Sequence, residues 1–121
     1  MSWIPFLVVL VLALGYMYFK RSGQVPAKDA TEYLRNGAVI IDVRNPNEFE
    51  SGHLMQAQNL PLDRIEMLAT SMIKDKSKPL LLHCSSGVRS SMAKKKLEDL
   101  GYKNVYNLGS YERAGKIITG R

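Results

Sequence analysis

The chain has 121 residues, of which 45% are apolar and 23% are charged, with a formal net charge of +6 and a single cysteine. This length allows one compact domain with a short appendage and excludes two domains with separate cores. One cysteine excludes an intramolecular disulfide and any Cys-x-x-Cys zinc or redox pair. The polarity is uneven along the chain, because residues 1–19 carry no charge and 16 of them are apolar.

This first segment predicts a membrane-spanning helix. Residues 3–19 form an uncharged run of 17 residues, and Lys20-Arg21 closes it. As a helix the run would reach about 25 Å, near the lower limit for crossing a bilayer core. We therefore expect a single transmembrane anchor that contacts membrane lipid through residues 3–19. The positive pair after the run favours a cytoplasmic location for the rest of the chain.

A cleaved signal peptide is the alternative to a retained anchor. Ala13-Leu14-Gly15 loosely resembles a cleavage site between small residues, and export would place the domain in the periplasm. Whether the segment is cleaved stays open at this point. The predicted domain organisation is an anchor or uncleaved signal at 1–21, a linker at 22–26 and a globular domain at 27–121.

The globular part alternates between helical and strand patterns. In the first half, the patterns predict a helix over 30–34, a strand at 38–41, a turn at 45–47 and a short strand at 57–60. A helix over 62–72 follows, with a buried face formed by Leu62, Ile65, Ala69 and Met72. The second half contains a loop at 74–79, a strand at 80–82, a helix over 93–100, a strand at 105–107 and a short helix beyond Tyr111. Continuous apolar runs suit strands that are covered on both faces. The sequence thus predicts an α/β fold, an open parallel sheet of four to five strands flanked by helices.

Cys84 is the candidate catalytic residue. It follows an apolar strand directly, at the strand end where ligands bind in such sheets. Ser85, Ser86 and Gly87 are small enough for the loop to curl with its N–H groups inward, which stabilises an anion together with the start of the next helix. Arg89 adds a permanent positive charge. Each feature favours the thiolate, the reactive form of cysteine.

At this point the sequence resembles the single-domain rhodanese family of sulfurtransferases. The resemblance covers about residues 25–110 and rests on motifs in the family's order: Asp42-Val43-Arg44 with Glu48-Phe49 and Gly52-His53-Leu54, then Asn59-Leu60-Pro61-Leu62, Cys84-Ser85-Ser86-Gly87-Val88-Arg89-Ser90 and Gly101-Tyr102-Lys103-Asn104-Val105. The short end after Leu108 resembles the small rhodaneses that are exported, which keeps the periplasmic alternative.

The resemblance implies an enzyme of the thiosulfate sulfurtransferase type that works through a persulfide on Cys84. Its small-molecule partners would be a sulfur donor such as thiosulfate and an acceptor such as cyanide or a thiol. The implied substrate-binding residues are those of the loop, namely Ser85, Ser86, Gly87, Val88 and Arg89. No metal or organic cofactor is implied. Many family loops carry a further cation, whereas Arg89 is the only charged residue here.

Asp42 and Arg44 are second candidates, because they end the first buried strand at the same sheet edge as Cys84. They would either orient the loop and the donor or form a structural ion pair. The two histidines and one cysteine do not form a recognisable metal set. Lys94-Lys95-Lys96 lacks interleaved aromatic residues, so we expect no nucleic-acid partner.

Two other functions compete with the enzyme. Cysteine-dependent phosphatases place five residues between cysteine and arginine, whereas here there are four, which argues for a loop sized for sulfur rather than phosphate. The chain could also be a non-catalytic or sulfur-carrying interaction module for a membrane partner. The sequence identifies no protein partner.

Overall fold

The computed structural model describes residues 2–120. In chain order, the elements within this range are α1 (Ile4–Ser22), α2 (Ala27–Arg35), β1 (Val39–Asp42), α3 (Pro46–Ser51), β2 (Gln58–Asn59), a 3-10 helix (Leu62–Arg64), α4 (Ile65–Met72), β3 (Leu80–His83), α5 (Val88–Asp99), β4 (Val105–Gly109) and α6 (Tyr111–Thr119).

The four strands form one parallel sheet in the order β2-β1-β3-β4. The predicted α/β fold with a parallel sheet is therefore confirmed, with four strands. The middle strands β1 and β3 pair along their whole length, with Ile41 opposite Leu82. Every residue of β3 is buried, because helices cover both sides of the sheet, and this explains why the strand has an unbroken apolar sequence.

The two faces of the sheet have separate cores. On one face, Leu80 and Leu82 pack with residues of α4 and α5, among them Ile65 and Leu97. On the other face, Leu81 packs with residues of α2 and α6. Successive side chains of a strand point to opposite faces, so three consecutive leucines anchor both layers of helices. This sandwich holds the carboxyl ends of β1, β3 and β4 at one edge.

Two local predictions were wrong. The segment predicted as a turn at 45–47 is the start of α3. Asn45 Oδ1 accepts the Glu48 N–H at 2.9 Å, and Glu48 Oε1 accepts the Asn45 N–H at 3.2 Å, which is a capping box followed by a proline at the first helical position. Met72, predicted as part of the buried face of a helix, is 54% exposed, because α4 ends at this residue.

The N-terminal segment is a continuous helix, α1. None of the helices in the range 2–120 has the length and apolarity needed to cross a membrane, so the predicted transmembrane anchor is not supported.

The short segment before α2 packs against the end of β4. Gln24 forms an isolated parallel bridge with Asn107, and the Val25 N–H donates to the Asn107 carbonyl at 2.9 Å. Val25 is buried in the core on the α2 and α6 face. These contacts place Gln24 close to Gly87 and Gly109, at the same edge of the sheet as Cys84.

Candidate active site

Cys84 lies at the carboxyl end of β3, between that strand and α5. Its backbone N–H donates to the Gly109 carbonyl at 3.2 Å, which ties the loop to the end of β4. Further along, the Tyr111 N–H donates to the Ser85 carbonyl at 3.3 Å, and Ser86 bridges Ser110. The loop between Cys84 and α5 is thus fixed by backbone contacts with the segment that joins β4 to α6.

The Cys84 sulfur is surrounded by hydrogen-bond donors. The Gly87 N–H donates to Sγ at 3.0 Å and the Ser90 N–H at 3.4 Å, while the Ser90 hydroxyl lies 3.6 Å away. Gly87 caps α5 and Ser90 lies in its first turn, so the positive end of the helix dipole faces the sulfur. These donors and the helix dipole favour an anion at the position of the sulfur.

The hydrogen bonds outweigh the effect of burial on the thiol. Cys84 is buried, and burial by itself would raise the pKa because it disfavours the charged thiolate. The hydroxyl and N–H of Ser90, with the N–H groups of Gly87 and Ser86, act in the opposite direction and lower the pKa of Cys84 below its usual value. The site therefore favours the nucleophilic form of the sulfur.

Glycine is required at position 87 for two reasons. Its φ of +99° is in the left-handed region that side chains avoid. A Cβ atom at this position would also come within 3.3 Å of the Gly109 backbone and of the Gln24 amide nitrogen. The left-handed turn allows the Gly87 N–H to point at the sulfur, and the close approach of Gly109 holds it there.

Asn107, a residue that sequence reasoning missed, supports the loop from β4. Its Oδ1 accepts the Ser90 hydroxyl at 2.6 Å and the Gly109 N–H at 2.8 Å, and its Nδ2 donates to the Gly87 carbonyl at 3.3 Å. Asn107 is buried, and a buried amide needs such partners. The available signal was an asparagine between Tyr106 and Leu108, a polar residue inside a predicted strand.

Arg89 lies at the mouth of the loop and forms a bidentate ion pair with Glu48 of α3. The two hydrogen bonds measure 2.6 and 2.9 Å, and the side chains are 34% and 32% exposed, respectively. The hydrogen bond with Arg89 holds the pKa of Glu48 down at about 2. The partnership with Glu48, together with the nearby Cys84 thiolate, raises the pKa of Arg89. Glu48 was part of the family resemblance but not a predicted site residue.

The other predicted loop residues differ in exposure. Ser85, Ser86 and Val88 are exposed at the surface, whereas Gly87 is buried beneath them. Val88 opens α5 and brings no polar group to the sulfur. The structure therefore brings Gly87, Ser86 and Arg89 together around Cys84, while Ser85 contributes its carbonyl to the anchoring of the loop.

Asp42 and Arg44 form a buried ion pair at the end of β1. Arg44 donates to both carboxylate oxygens of Asp42, with a shortest distance of 2.7 Å, and to the Gly52 carbonyl at 2.8 Å. The guanidinium lies over the Tyr111 ring, 4.5 Å from its centre. The hydrogen bond with Asp42 raises the pKa of Arg44. These contacts hold together β1, the end of α3 and the start of α6.

His83 links this ion pair to the loop. Its Nε2 lies 3.7 Å from Asp42 Oδ2 without a hydrogen-bond partner, and its Nδ1 lies 3.3 Å from the Cys84 carbonyl oxygen. Burial lowers the pKa of His83, so the ring is neutral near neutral pH. Across residues 2–120, no group of three or more His, Cys, Asp or Glu side chains is arranged to hold a metal ion.

A comparison with known proteins identifies the family to which this site belongs. The family model of the rhodanese-like domain matches residues 26–114, which include every residue of the site. The chain belongs to the rhodanese family. A structure described as a rhodanese with anions from Escherichia coli is 33% identical, with a TM-score of 0.59, and the match covers 64% of this chain and 91% of that one. The expected rhodanese-like domain is therefore confirmed.

The relatives of this rhodanese differ in their activities. Uncharacterized protein YqhL of Bacillus subtilis is 32% identical over 114 residues, which are 93% of this chain and 89% of that protein. Thiosulfate sulfurtransferase PspE of Escherichia coli is 33% identical over 57% of this chain and 66% of its own. A tRNA uridine(34) hydroxylase of Erwinia tasmaniensis is 33% identical, but the match covers only 21% of that enzyme. Membership establishes the sulfurtransferase family and leaves the reaction of this member to be proposed.

Proposed function

We propose that this rhodanese transfers sulfane sulfur from a small donor to a nucleophilic acceptor through a persulfide on Cys84. The observation that carries the proposal is the ring of donors around the Cys84 sulfur, with Gly87 N–H at 3.0 Å and Ser90 N–H at 3.4 Å. Such a ring stabilises an anion at a fixed place without a general base. A nucleophile with a lowered pKa is what this chemistry requires.

The proposed cycle has two displacements at sulfur. In the first, the Cys84 thiolate attacks the outer sulfur of the donor. A new S–S bond forms, and the bond to the rest of the donor breaks with its electron pair on the leaving group, which is sulfite when the donor is thiosulfate. In the second, a thiolate or cyanide attacks the outer sulfur of the persulfide, and the electron pair returns to Cys84. The N–H groups of Gly87 and Ser90 stabilise the thiolate at the beginning and end of the cycle.

Intact-protein mass spectrometry tests the first displacement. Because Cys84 is the only cysteine, a gain of one sulfur atom after treatment with thiosulfate or an alkyl persulfide can be assigned to this residue without digestion. We expect the gain for the wild-type chain and none for Cys84→Ser. Absence of any gain on the wild type with every donor would contradict the proposal.

The second displacement separates an enzyme from a sulfur-carrying module. After excess donor is removed, addition of cyanide should release thiocyanate and restore the mass of the unmodified chain. Repeated turnover with donor and cyanide is expected for the enzyme. A chain that loads sulfur but returns it to neither cyanide nor a small thiol would instead be a carrier that delivers to a protein partner.

We further propose that α1 binds lipid. Large apolar side chains are exposed along this helix, including Phe6 and Leu10, and Trp3 is exposed just before it. Burial of such surface in a bilayer removes it from water. Lys20 and Arg21 follow these residues, where anionic headgroups attract them. The same positive charges favour the cytoplasmic face for the domain.

Vesicle flotation tests the proposed lipid binding. The full chain should float with vesicles that contain anionic lipid, and Leu10→Arg should reduce the floating fraction by placing a charge among the apolar residues. Met55→Arg is the matched control, because Met55 is 84% exposed on the globular part. Equal flotation of the two variants would contradict a role for α1.

A further inference from the structure

We propose that Glu48 is a specificity-determining residue that makes the site prefer donors with one negative charge over dianions such as thiosulfate. The inference rests on the proposed sulfur transfer and concerns the class of donor. Glu48 touches neither the sulfur nor any reacting atom in the structure. It acts through Arg89, the only charged residue of the Cys84 loop.

Arg89 and Glu48 form a directional ion pair at the mouth of the loop. Arg89 directs two nitrogens at the two carboxylate oxygens of Glu48, at 2.6 and 2.9 Å. A bidentate pair of this kind is directional as well as charged. Glu48 is in turn held by the capping box of α3, because its Oε1 also accepts the Asn45 N–H. The carboxylate is therefore fixed in place across the mouth of the loop.

Both arginines at the ends of the site are paired with a carboxylate. Arg89 is neutralised by Glu48, and Arg44 is neutralised by Asp42. The Cys84 thiolate then adds one negative charge at the bottom of the loop. Arg113, the other arginine near this edge, directs its guanidinium at the Leu108 and Val25 carbonyls. A donor with two negative charges therefore meets Arg89 with its charge balanced by Glu48, and an anionic nucleophile, so its approach is opposed more strongly than that of a monoanion. The N–H groups around the sulfur stabilise one anion there and supply no full positive charge.

Removal of the negative charge of Glu48 would free the positive charge of Arg89. Glu48→Gln keeps the size of the side chain and an oxygen that can accept from Arg89, but it removes the negative charge. The mouth gains one net positive charge, and the donor reaction should become faster by about fivefold per unit of donor charge. The preference should therefore shift towards the dianion, again by about fivefold.

Two donors that differ mainly in charge provide the experiment. Thiosulfate is a dianion that leaves as sulfite after giving up its outer sulfur, and methanethiosulfonate is a monoanion that leaves as methanesulfinate. For each donor, kcat/KM is measured from thiocyanate formation with saturating cyanide, and the rate with Cys84→Ser is subtracted. The ratio of the two kcat/KM values, thiosulfate over methanethiosulfonate, is the readout, since it cancels changes in folding and in the amount of active protein.

We expect the ratio to rise about fivefold in Glu48→Gln and to fall back towards the wild-type value as salt is added, because salt screens the freed charge. Glu48→Asp, which restores the charge, should return the ratio towards wild type. Glu50→Gln removes the same charge from an exposed residue of α3 and should leave the ratio unchanged.

A ratio in Glu48→Gln that stays at the wild-type value, or that shifts equally in Glu50→Gln, would overturn the inference while both donors still load Cys84. Failure of both donors to place sulfur on wild-type Cys84 is a different result. It would overturn the proposed function, and the inference with it.

Discussion

Two groups of polar residues at the same edge of the sheet are built in opposite ways. At the end of β1, Asp42 and Arg44 are buried and satisfy each other's charges. At the end of β3, several N–H and O–H donors converge on Cys84, and the nearby cation, Arg89, is paired with Glu48. The first arrangement uses its polar groups to fix the backbone, whereas the second leaves an anion stabilised mainly by N–H dipoles. The buried charges of Asp42 and Arg44 therefore stabilise the fold, whereas the buried anion at Cys84 is a reactive group.

The Arg89 pair with Glu48 lies between these extremes. It has the same bidentate geometry as the Arg44 pair, but its side chains are about one third exposed, whereas those of Arg44 and Asp42 are 9% and 0% exposed. Solvent weakens an exposed pair and makes it easy to rearrange. The comparison predicts that stability depends on the buried pair, and that donor chemistry depends on the loop and the exposed pair.

The largest loss of stability is expected for Arg44→Met. The substitution leaves the Asp42 carboxylate buried without its counter-charge, which costs about 3–5 kcal/mol of unfolding free energy. Urea denaturation measures this loss. The double variant with Asp42→Asn should recover much of it, since no unpaired charge is then buried. A loss below about 1 kcal/mol would mean that the buried pair is no more important than a surface pair.

A smaller effect on stability is expected for Gly87→Ala, together with an effect on the thiol. A left-handed conformation costs a side-chain residue about 1–2 kcal/mol, and the new Cβ atom presses on the Gly109 backbone. Relief of this strain would turn the residue 87 N–H away from the sulfur, so the pKa of Cys84 should rise. The pH dependence of the thiolate's ultraviolet absorbance reports the pKa. An unchanged pKa would show that this N–H does not stabilise the thiolate.

Ser90→Ala tests the support beneath the sulfur. Asn107 Oδ1 would keep the Gly109 N–H but lose the hydroxyl at 2.6 Å, a loss of about 1 kcal/mol. The pKa of Cys84 should rise, because the Ser90 hydroxyl helps to lower it. Ser91→Ala changes the exposed neighbour and is the control for both measurements. Equal effects of the two substitutions would show that Asn107 and Ser90 do not hold the loop.

The smallest effect on stability is expected for Arg89→Ala, below about 1 kcal/mol. Donor loading should nevertheless fall by about tenfold or more, because Glu48 then places an unbalanced negative charge at the mouth. Denaturation and the kcat/KM for thiosulfate give the two values. A stability loss as large as that of Arg44→Met would remove the distinction between the buried and the exposed pair.

Acid titration gives an independent measure of the exposed pair. The pKa of Glu48 is about 2 in the folded chain, below the 4.5 of an unperturbed glutamate, so the carboxylate is favoured by folding. Its contribution to stability is complete above pH 4.5 and is lost as the pH falls towards 2. The difference in stability between wild type and Arg89→Ala should therefore shrink over this range. A constant difference would mean that the pair contributes through packing rather than charge.

Much of the fold could be predicted because its signals are local. The apolar run at 80–82 indicated a strand covered on both faces, and the structure shows Leu81 and its neighbours in two cores. Helix α3 was missed although its signal was present. Asn45 followed by a proline and, three positions on, by Glu48 is a capping box, but the asparagine and proline were interpreted as a turn.

The predicted membrane anchor is not supported by the structure. Composition and charge described the first segment correctly as apolar, and the structure confirms that it is helical.

The sequence by itself determined the nucleophile and its loop. Cys84, the small residues after it and the start of α5 are contiguous, so the backbone can close around the sulfur through short-range geometry alone. Only the tertiary structure decided which groups complete the site. Glu48 lies 41 residues from Arg89 and Asn107 lies 17 residues from Ser90, and the parallel sheet brings them together. Charge balance and buried hydrogen bonds depend on distance in space, and spacing along the chain does not encode that distance.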